Sequence, residues 1–210
     1  MNGGRSINQK IVNLKKRGFF NEKAEVWDEI SVHNLKKVQY ISELLDIRGD
    51  DKILDVGTGT GIMIPFYERH LVDGSVVAVD HSEKMIEVAR SKYPEKKHPM
   101  ISFLVSDVYE LKYYADFDLI VCYSCFPHFV NQLLALKILS RALKKGGRLA
   151  VAHSDSAKKI NGIHMNSGAE IGNDFLPSME SLKQMMKDSG LAVTFKRNDE
   201  DYFICLARKL

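Results

Sequence analysis

Three alternate glycines stand between a short apolar run and a helix-like segment. The run is Ile53–Val56, and Gly57, Gly59 and Gly61 follow it. Glycine lets the backbone turn tightly, and it lets a ligand touch the backbone without meeting a side chain. The N–H groups at the start of the following helix are free to bind that ligand. The segment therefore predicts a ligand-binding turn between a strand and a helix.

Two nucleotide-binding motifs compete for this glycine-rich turn. A phosphate-binding loop for nucleoside triphosphates needs Gly-Lys-Ser/Thr after the glycines. Gly61 is followed by Ile62 and Met63, which excludes that loop. The nicotinamide dinucleotide fingerprint needs Gly-x-Gly-x-x-Gly. Gly57 and Gly59 match it, but Ile62 stands at the third glycine position, so a dinucleotide site stays open as an alternative.

Two acids follow later apolar runs and suit recognition of a nucleoside. Asp80 ends the run Val76–Val79, where a carboxylate reaches both hydroxyls of a ribose. The alternative is a helix-entry residue, with Ser82 as the N-cap. Asp107 follows the run Ile101–Val105, and its position suits a hydrogen bond to the exocyclic amine of an adenine. An ordinary turn aspartate is the alternative for Asp107.

Histidines and cysteines lie at the ends of two further apolar runs. His128 and His153 are candidate catalytic bases facing a substrate, although His128 also suits capping or orienting the next helix. Cys122 and Cys125 form a Cys-x-x-Cys pair without a second pair in the chain, which excludes a four-thiolate zinc site. A mixed cysteine–histidine site is the remaining alternative, and we predict no metal.

The elements that must position these residues follow from the apolar pattern. Five short apolar runs separated by helical segments predict parallel strands buried on both faces, with right-handed crossovers. Ligands of such sheets bind at the carboxyl ends of the strands, which brings the candidate residues together. The predicted strands are Lys52–Val56, Ser75–Asp80, Ile101–Val105, Phe117–Cys122 and Arg148–His153. The predicted helices between them are 62–70, 82–92 and 131–143, and Gly146-Gly147 is the stop signal that follows the last helix.

The two ends of the chain follow other patterns. Residues 1–50 carry apolar residues at helical spacing and predict a helical cap. Ser178 caps a further helix, and the strands Leu191–Lys196 and Tyr202–Ala207 then form a hairpin, which gives the sheet an antiparallel edge. Residues 154–177 are irregular and suit a lid or a substrate wall. We therefore predict one domain, 1–210, with the cap 1–50, a cofactor-binding core 51–153 and a substrate-side segment 154–210.

Composition favours a globular protein of the cytoplasm. The chain has 210 residues, of which 45% are apolar and 27% charged, with a net charge of +3. No stretch approaches the roughly 18 apolar residues of a membrane span, no secretory leader follows Met1–Arg5, and only three cysteines occur. The basic cluster Lys10, Lys15, Lys16 and Arg17 predicts the solvated face of a helix. Nucleic acid and membrane are therefore not expected as partners.

Together these segments resemble the class I S-adenosylmethionine-dependent methyltransferases. The resemblance covers residues from about 50 to 210 and is carried by Ile53–Ile62, Val76–Asp80 with Ser82–Met85, Ser106-Asp107, Phe117–Cys122 and Leu143–His153. It implies a doubly wound, seven-stranded, mostly parallel α/β sheet of the Rossmann-like methyltransferase type, ending in a reversed hairpin. It also implies S-adenosyl-L-methionine as cofactor. The cofactor-binding residues that it implies are Asp55, Gly57, Thr58, Gly59, Thr60, Gly61, Asp80, His81, Met85, Asp107, Val108, Cys122 and Tyr123.

Two further comparisons concern the acceptor of the methyl group. The segment Phe19–Glu29 is similar to the entry segment of small-molecule methyltransferases of the ubiquinone/menaquinone type, where it packs over the cofactor pocket. Nucleic-acid methyltransferases carry an Asn/Asp-Pro-Pro-aromatic motif where Tyr123–Phe126 stands here. These features favour in-line methyl transfer to a small molecule. A protein or RNA acceptor, or a homologue that binds the cofactor without catalysis, remains an alternative.

Overall fold

The computed structural model describes residues 6–210, so Met1–Arg5, where the absence of a leader was predicted, lie outside the described residues. Seven strands form one sheet in the order β3-β2-β1-β4-β5-β7-β6. The strands are β1 Lys52–Val56, β2 Ser75–Asp80, β3 Ile101–Val105, β4 Phe117–Tyr123, β5 Leu143–His153, β6 Leu191–Asn198 and β7 Phe203–Lys209. The helices are α1 Ile7–Lys23, α2 Trp27–Ile30, α3 Leu35–Leu44, α4 Ile64–Glu68, α5 Glu83–Lys92, α6 Gln132–Ala142, α7 Ala157–Met165 and α8 Met179–Asp188.

The predicted fold class is confirmed. Strands β1 to β5 pair in parallel, whereas β7 pairs antiparallel with both β5 and β6. Successive residues of a strand point to opposite faces of the sheet, and an apolar cluster covers each face. Ile53 packs in one apolar cluster and Leu54 in the other, and both are fully buried. Burial of each such side chain stabilises the fold by about 1.5–3 kcal/mol.

The strand order reverses between β1 and β4. These two strands pair directly, although two further strands and their helices separate them in the chain. The connection from β1 leads to β2 on one side, and the chain later crosses to β4 on the other side. Ligands of doubly wound sheets bind in the crevice at such a switch point, outside the carboxyl ends of the strands. The fold therefore places a site above Val56 and Tyr123.

The predicted start of the fifth strand is wrong. Strand β5 begins at Leu143 rather than at Arg148, directly after α6, which ends at Ala142, one residue before its predicted end. Gly146 and Gly147 lie within β5, and the register of β4 against β5 shifts between Phe117 and Leu119. Residues 154–177 are also more regular than predicted, since α7 forms there. Ser156 starts it by accepting a hydrogen bond from the backbone N–H of Lys159.

Helix α1 corrects the interpretation of the basic cluster. Lys16 was predicted on a solvated face, but it is only 3% exposed, because its ammonium group pairs with the buried Asp174. Lys15 beside it is exposed as predicted. Across residues 6–210, every helix is too short or too polar to pass through a lipid bilayer.

Candidate cofactor and active site

The glycine turn after β1 is open on the side that faces a cavity. Gly57 and Gly59 have φ values of +70° and +55°, which L side chains rarely adopt. A Cβ at Gly57 would stand 2.5 Å from the Cβ of Cys125, so the turn packs tightly there. A Cβ at Gly59 would instead meet only the indole Nε1 of Trp27, at 3.8 Å. The backbone at Gly59 is thus a bare surface that a ligand can approach.

Asp80 closes the turn from the neighbouring strand. Its Oδ2 accepts a hydrogen bond from the backbone N–H of Gly59 at 2.9 Å, and its Oδ1 accepts one from Ser82 at 2.9 Å. An ionised carboxylate has about four acceptor sites, so two remain for a ligand. Ser82 caps α5, since its hydroxyl oxygen accepts from the backbone N–H of Met85. Asp80 therefore joins the end of β2 to the glycine turn and keeps acceptor capacity toward the cavity.

Asp55 lies behind the turn. Its side chain is only 2% exposed and does not line the cavity. The Thr58 hydroxyl donates to the Asp55 carboxylate at 2.7 Å, which braces the turn. Burial raises the pKa of Asp55 to about 6. Its contacts are those of a residue that shapes the turn from within the sheet.

Asp107 meets helix α1 at the other end of the cavity. The Asn13 amide donates to its Oδ2 at 2.8 Å, and the backbone N–H of Tyr109 donates to its Oδ1 at 3.1 Å. Val108 follows Asp107 on the cavity wall. The sequence did not single out Asn13. Its only signal was the prediction of a helical cap over residues 1–50.

One cavity of about 330 Å³ runs between these groups. That volume lies in the range of small-molecule sites. The predicted residues that line it are Gly57, Thr58, Gly59, Thr60, Asp80, His81, Met85, Asp107, Val108, Tyr123 and His128. The predicted residues that do not line it are Asp55, Gly61, Cys122 and His153.

Aromatic rings from the N-terminal helices cover this cavity. Phe20 of α1 stands at the centre, with ring centroids 5.5 Å from Trp27, 5.7 Å from His81 and 5.0 Å from His128. Both Phe20 and Trp27 line the cavity. Both belong to the segment 19–29 that the sequence singled out, although sequence alone did not say which rings would face inward.

His128 is held in a buried network of charged and polar groups. Its Nδ1 lies 2.7 Å from Oδ2 of Asp174, and the Lys16 ammonium donates to Oδ1 of the same carboxylate at 2.5 Å. Burial lowers the pKa of His128, and the neighbouring His164 and Lys16 lower it further, while Asp174 opposes them. The ring is therefore neutral near pH 7. Sequence analysis missed Asp174, which lies 46 residues beyond His128.

His153 lies inside the sheet rather than in the cavity. It is 2% exposed, and its ring packs 6.2 Å from that of Phe203 on β7. Its Nε2 has no hydrogen-bond partner among the described residues. Burial lowers the pKa of His153 to about 3, so the ring stays neutral. These surroundings suit packing, and His153 does not reach the acceptor side.

A second series of hydrogen-bonded polar side chains lies at the wall of the cavity beyond β4. The Tyr123 hydroxyl lies 2.9 Å from Nδ1 of His33 and 2.8 Å from the Ser154 hydroxyl. Burial raises the pKa of Tyr123 and lowers that of His33, so both are neutral. This neutral series of side chains can orient a ligand by hydrogen bonds.

The cysteines are buried thiols. Cys122 is fully buried in the core, and the Cys125 thiol donates to the Val56 carbonyl at 3.0 Å. Cys205 on β7 is also free and buried. Within residues 6–210, no group of three or more histidines, cysteines or acids has the arrangement of a metal site.

Comparisons with known proteins agree with this geometry. Residues 54–151 match the family model described as "Methyltransferase domain". The malonyl-[acyl-carrier protein] O-methyltransferase of Priestia megaterium is 29% identical over 198 residues, which cover 87% of this chain and 69% of that protein. The ubiquinone/menaquinone biosynthesis C-methyltransferase of Teredinibacter turnerae is 31% identical over 123 residues, which cover 57% of this chain and 49% of that protein.

The chain spans about half the length of several of the curated relatives that it matches. Among solved structures, the magnesium protoporphyrin IX methyltransferase of Synechocystis PCC 6803 with bound S-adenosylmethionine aligns over 100% of both chains. Its TM-score is 0.70 and its identity 16%, a likeness that concerns the fold. Residues 54–151 therefore match a methyltransferase domain, and the chain shares the fold of the solved methyltransferase structures.

Proposed function

We propose that this chain transfers the methyl group of S-adenosylmethionine to a small-molecule acceptor. The observation that carries the proposal is a single cavity that holds the bare backbone of Gly59, the carboxylates of Asp80 and Asp107, and the ring of His128. The first three suit an adenosyl group, and the last offers chemistry beside it. Relatives named for quinone biosynthesis and for a carrier-bound acyl group support acceptors of small size.

The cofactor would lie across the carboxyl ends of β1, β2 and β3. In this proposal the Gly57–Gly61 turn holds the methionine part, and Asp80 accepts hydrogen bonds from the ribose hydroxyls. Asp107 would accept a hydrogen bond from the adenine amine in place of the one that the Asn13 amide donates. Phe20 and Trp27 cover the site and exclude water, which keeps the acceptor as the nucleophile.

The acceptor would enter between β4 and the N-terminal helices. Tyr123 and His33 orient it by hydrogen bonds, and His128 takes its proton when it has one to lose. The bound cofactor supplies a methyl group on a positive sulfur, with a neutral thioether as leaving group. The protein contributes orientation, which can be worth about 7–11 kcal/mol of the barrier. Because His153 lies outside the cavity, His128 is the retained candidate base.

The proposal covers the remaining predictions as well. The cap 1–50 and the segment 154–210 would form the acceptor side of one domain around the core 51–153. The three free, buried thiols suit a reducing compartment, so we keep the cytoplasm as the proposed location.

Turnover tests the proposal directly. The purified chain is incubated with S-adenosylmethionine and a panel of metabolites, and S-adenosylhomocysteine is measured by mass spectrometry. We expect release that depends on one acceptor class. A thermal-shift comparison with nicotinamide dinucleotides tests the alternative cofactor. Stabilisation by the dinucleotides and not by S-adenosylhomocysteine would overturn the assignment.

A further inference from the structure

A buried polar cluster lies behind His128, on the side away from the cavity. Its other members are Asp174, Lys16 and His164, which are 5%, 3% and 9% exposed. Removing charges from water is costly, and a buried ion pair adds little to stability compared with apolar packing. The cluster joins α1, α7 and the segment before α8, so three separate parts of the chain meet at the base of one ring.

The geometry of the cluster fixes the direction of each hydrogen bond. Lys16 donates to Oδ1 of Asp174 at 2.5 Å and to the backbone carbonyl of His128 at 3.0 Å. The remaining oxygen, Oδ2, faces Nδ1 of His128 at 2.7 Å. His164 Nδ1 donates to the Asp174 backbone carbonyl at 2.5 Å and thereby fixes the segment. An ionised carboxylate only accepts hydrogen bonds, so Nδ1 of His128 must carry the proton.

The other nitrogen of His128 is left for chemistry. No hydrogen bond from residues 6–210 occupies its Nε2, and the ring lines the cavity. A neutral imidazole with its proton on Nδ1 presents a lone pair at Nε2.

We propose that Asp174, held by Lys16, is a positioning residue that keeps the proton of His128 on Nδ1 and leaves Nε2 to take a proton from the acceptor. This inference rests on the proposed function and narrows its substrate class. The acceptor carries a proton that it must lose, as a hydroxyl, a thiol or an acidic carbon does. Tertiary amines and thioethers, which have no such proton, are excluded.

The acceptor X–H gives its proton to Nε2 of His128, and its electron pair forms the X–CH₃ bond. The bound cofactor would supply the methyl group, with the electron pair of its C–S bond going to sulfur, so that neutral S-adenosylhomocysteine would be the leaving group. His128 becomes an imidazolium that the Asp174 carboxylate stabilises, and the proton then passes to solvent.

The first test reads the tautomer in the intact protein without an acceptor. Histidines are labelled with ¹⁵N, the His128 signals are assigned with His128→Gln, and the nitrogen that carries the proton is identified by NMR above the His128 pKa. We expect protonated Nδ1. Protonated Nε2 in the wild-type protein would overturn the proposal.

Asp174→Asn tests the role of the carboxylate. Lys16 still needs an oxygen, so the asparagine turns its NH₂ toward Nδ1 of His128 and forces the proton to Nε2. The measured His128 pKa also falls, because the negative charge of Asp174 raises it. Asp73→Asn, an exposed acid in a turn, is the matched control and leaves both readouts unchanged. An unchanged tautomer in folded Asp174→Asn would contradict the proposal.

Lys16→Met should change the His128 pKa in the opposite direction from Asp174→Asn. The groups facing His128 are Asp174, His164 and Lys16, and the last two lower its pKa. Loss of Lys16 therefore raises the His128 pKa, whereas the exposed control Lys15→Met leaves it in place. A pKa that falls or stays constant in Lys16→Met argues against the network. The tautomer and the His128 pKa are measured without cofactor, so an unexpected result there contradicts only the role of Asp174. Absence of S-adenosylhomocysteine binding would instead contradict the proposed function.

The acceptor class has its own test. Labelled methyl transfer is measured with phenols, thiols and enolisable carbon acids, and in parallel with tertiary amines and thioethers. Transfer within the first group supports the inference, and its rate falls on the order of 10²-fold in Asp174→Asn. Transfer confined to the second group would overturn it.

Discussion

Replacing Asp80 by asparagine removes one acceptor from the proposed ribose site. Both oxygens of Asp80 already accept backbone hydrogen bonds, from Gly59 at 2.9 Å and from Ser82 at 2.9 Å. The asparagine has one oxygen, so its NH₂ must turn toward one of these donors or toward the ribose. In either case one hydroxyl of the ribose loses its charged acceptor.

The size of the effect follows from that single bond. A hydrogen bond to a charged group contributes about 1.5–3 kcal/mol, and each 1.4 kcal/mol changes an equilibrium constant about tenfold. Asp80→Asn should therefore weaken binding of S-adenosylhomocysteine by about 10- to 150-fold. The variant should also lose some stability, because one backbone donor near Gly59 or Ser82 is left poorly paired.

The chain reports this binding through its one tryptophan. Trp27 lines the cavity, so a titration with S-adenosylhomocysteine should change its fluorescence. A deoxyribose analogue completes a double-mutant cycle: removing the hydroxyl should weaken binding to the wild type and change little in Asp80→Asn. Equal losses in both proteins would refute a direct bond between Asp80 and the ribose, as would unchanged affinity in a folded variant.

Three further substitutions test other parts of the site. Asp55→Asn should stabilise the protein by up to about 3 kcal/mol at pH 8 but not at pH 3.5, because the raised pKa of Asp55, about 6, means that its charged form destabilises the folded state. Urea unfolding at both pH values measures the free energy of unfolding. His153→Leu should reduce the loss of stability between pH 6.5 and 3, because the pKa of His153, lowered to about 3, means that the unfolded chain binds a proton in this range and the folded protein does not. An unchanged dependence of the unfolding free energy on pH would be inconsistent with the burial of His153. Tyr123→Phe should raise the KM for the acceptor about tenfold by removing its hydroxyl, with cofactor affinity intact.

Much of the fold was readable because the local pattern and the tertiary environment agree. The run Lys52–Val56 is short, mostly apolar and followed by glycines, which is the pattern of a parallel strand buried on both faces. The glycine turn and Asp80 were readable for the same reason, since adjacent parallel strands bring their ends together. The hairpin of β6 and β7 was predicted from two strand patterns that five residues separate.

The surroundings of His128 and His153 could not be predicted from the local sequence pattern. Lys16 lies among other basic residues, and its burial depends on Asp174, which is 158 positions away. Such pairs are set by packing between α1 and the segment after α7. Likewise, His153 and His128 both follow apolar strands, and only the observed paths of the chain show that one ring turns into the sheet and the other into the cavity.

Calorimetric titration with S-adenosylhomocysteine tests the central claim most directly when Gly59→Asn is compared with Gly146→Asn. Asparagine tolerates positive φ, and both glycines have it, at +55° and +75°. A side chain at Gly59 enters the cavity, whereas one at Gly146 meets nothing within 4 Å. We expect heat of binding for the wild type and for Gly146→Asn, and loss of that heat in Gly59→Asn. No heat with the wild type, or full affinity in Gly59→Asn, would contradict it.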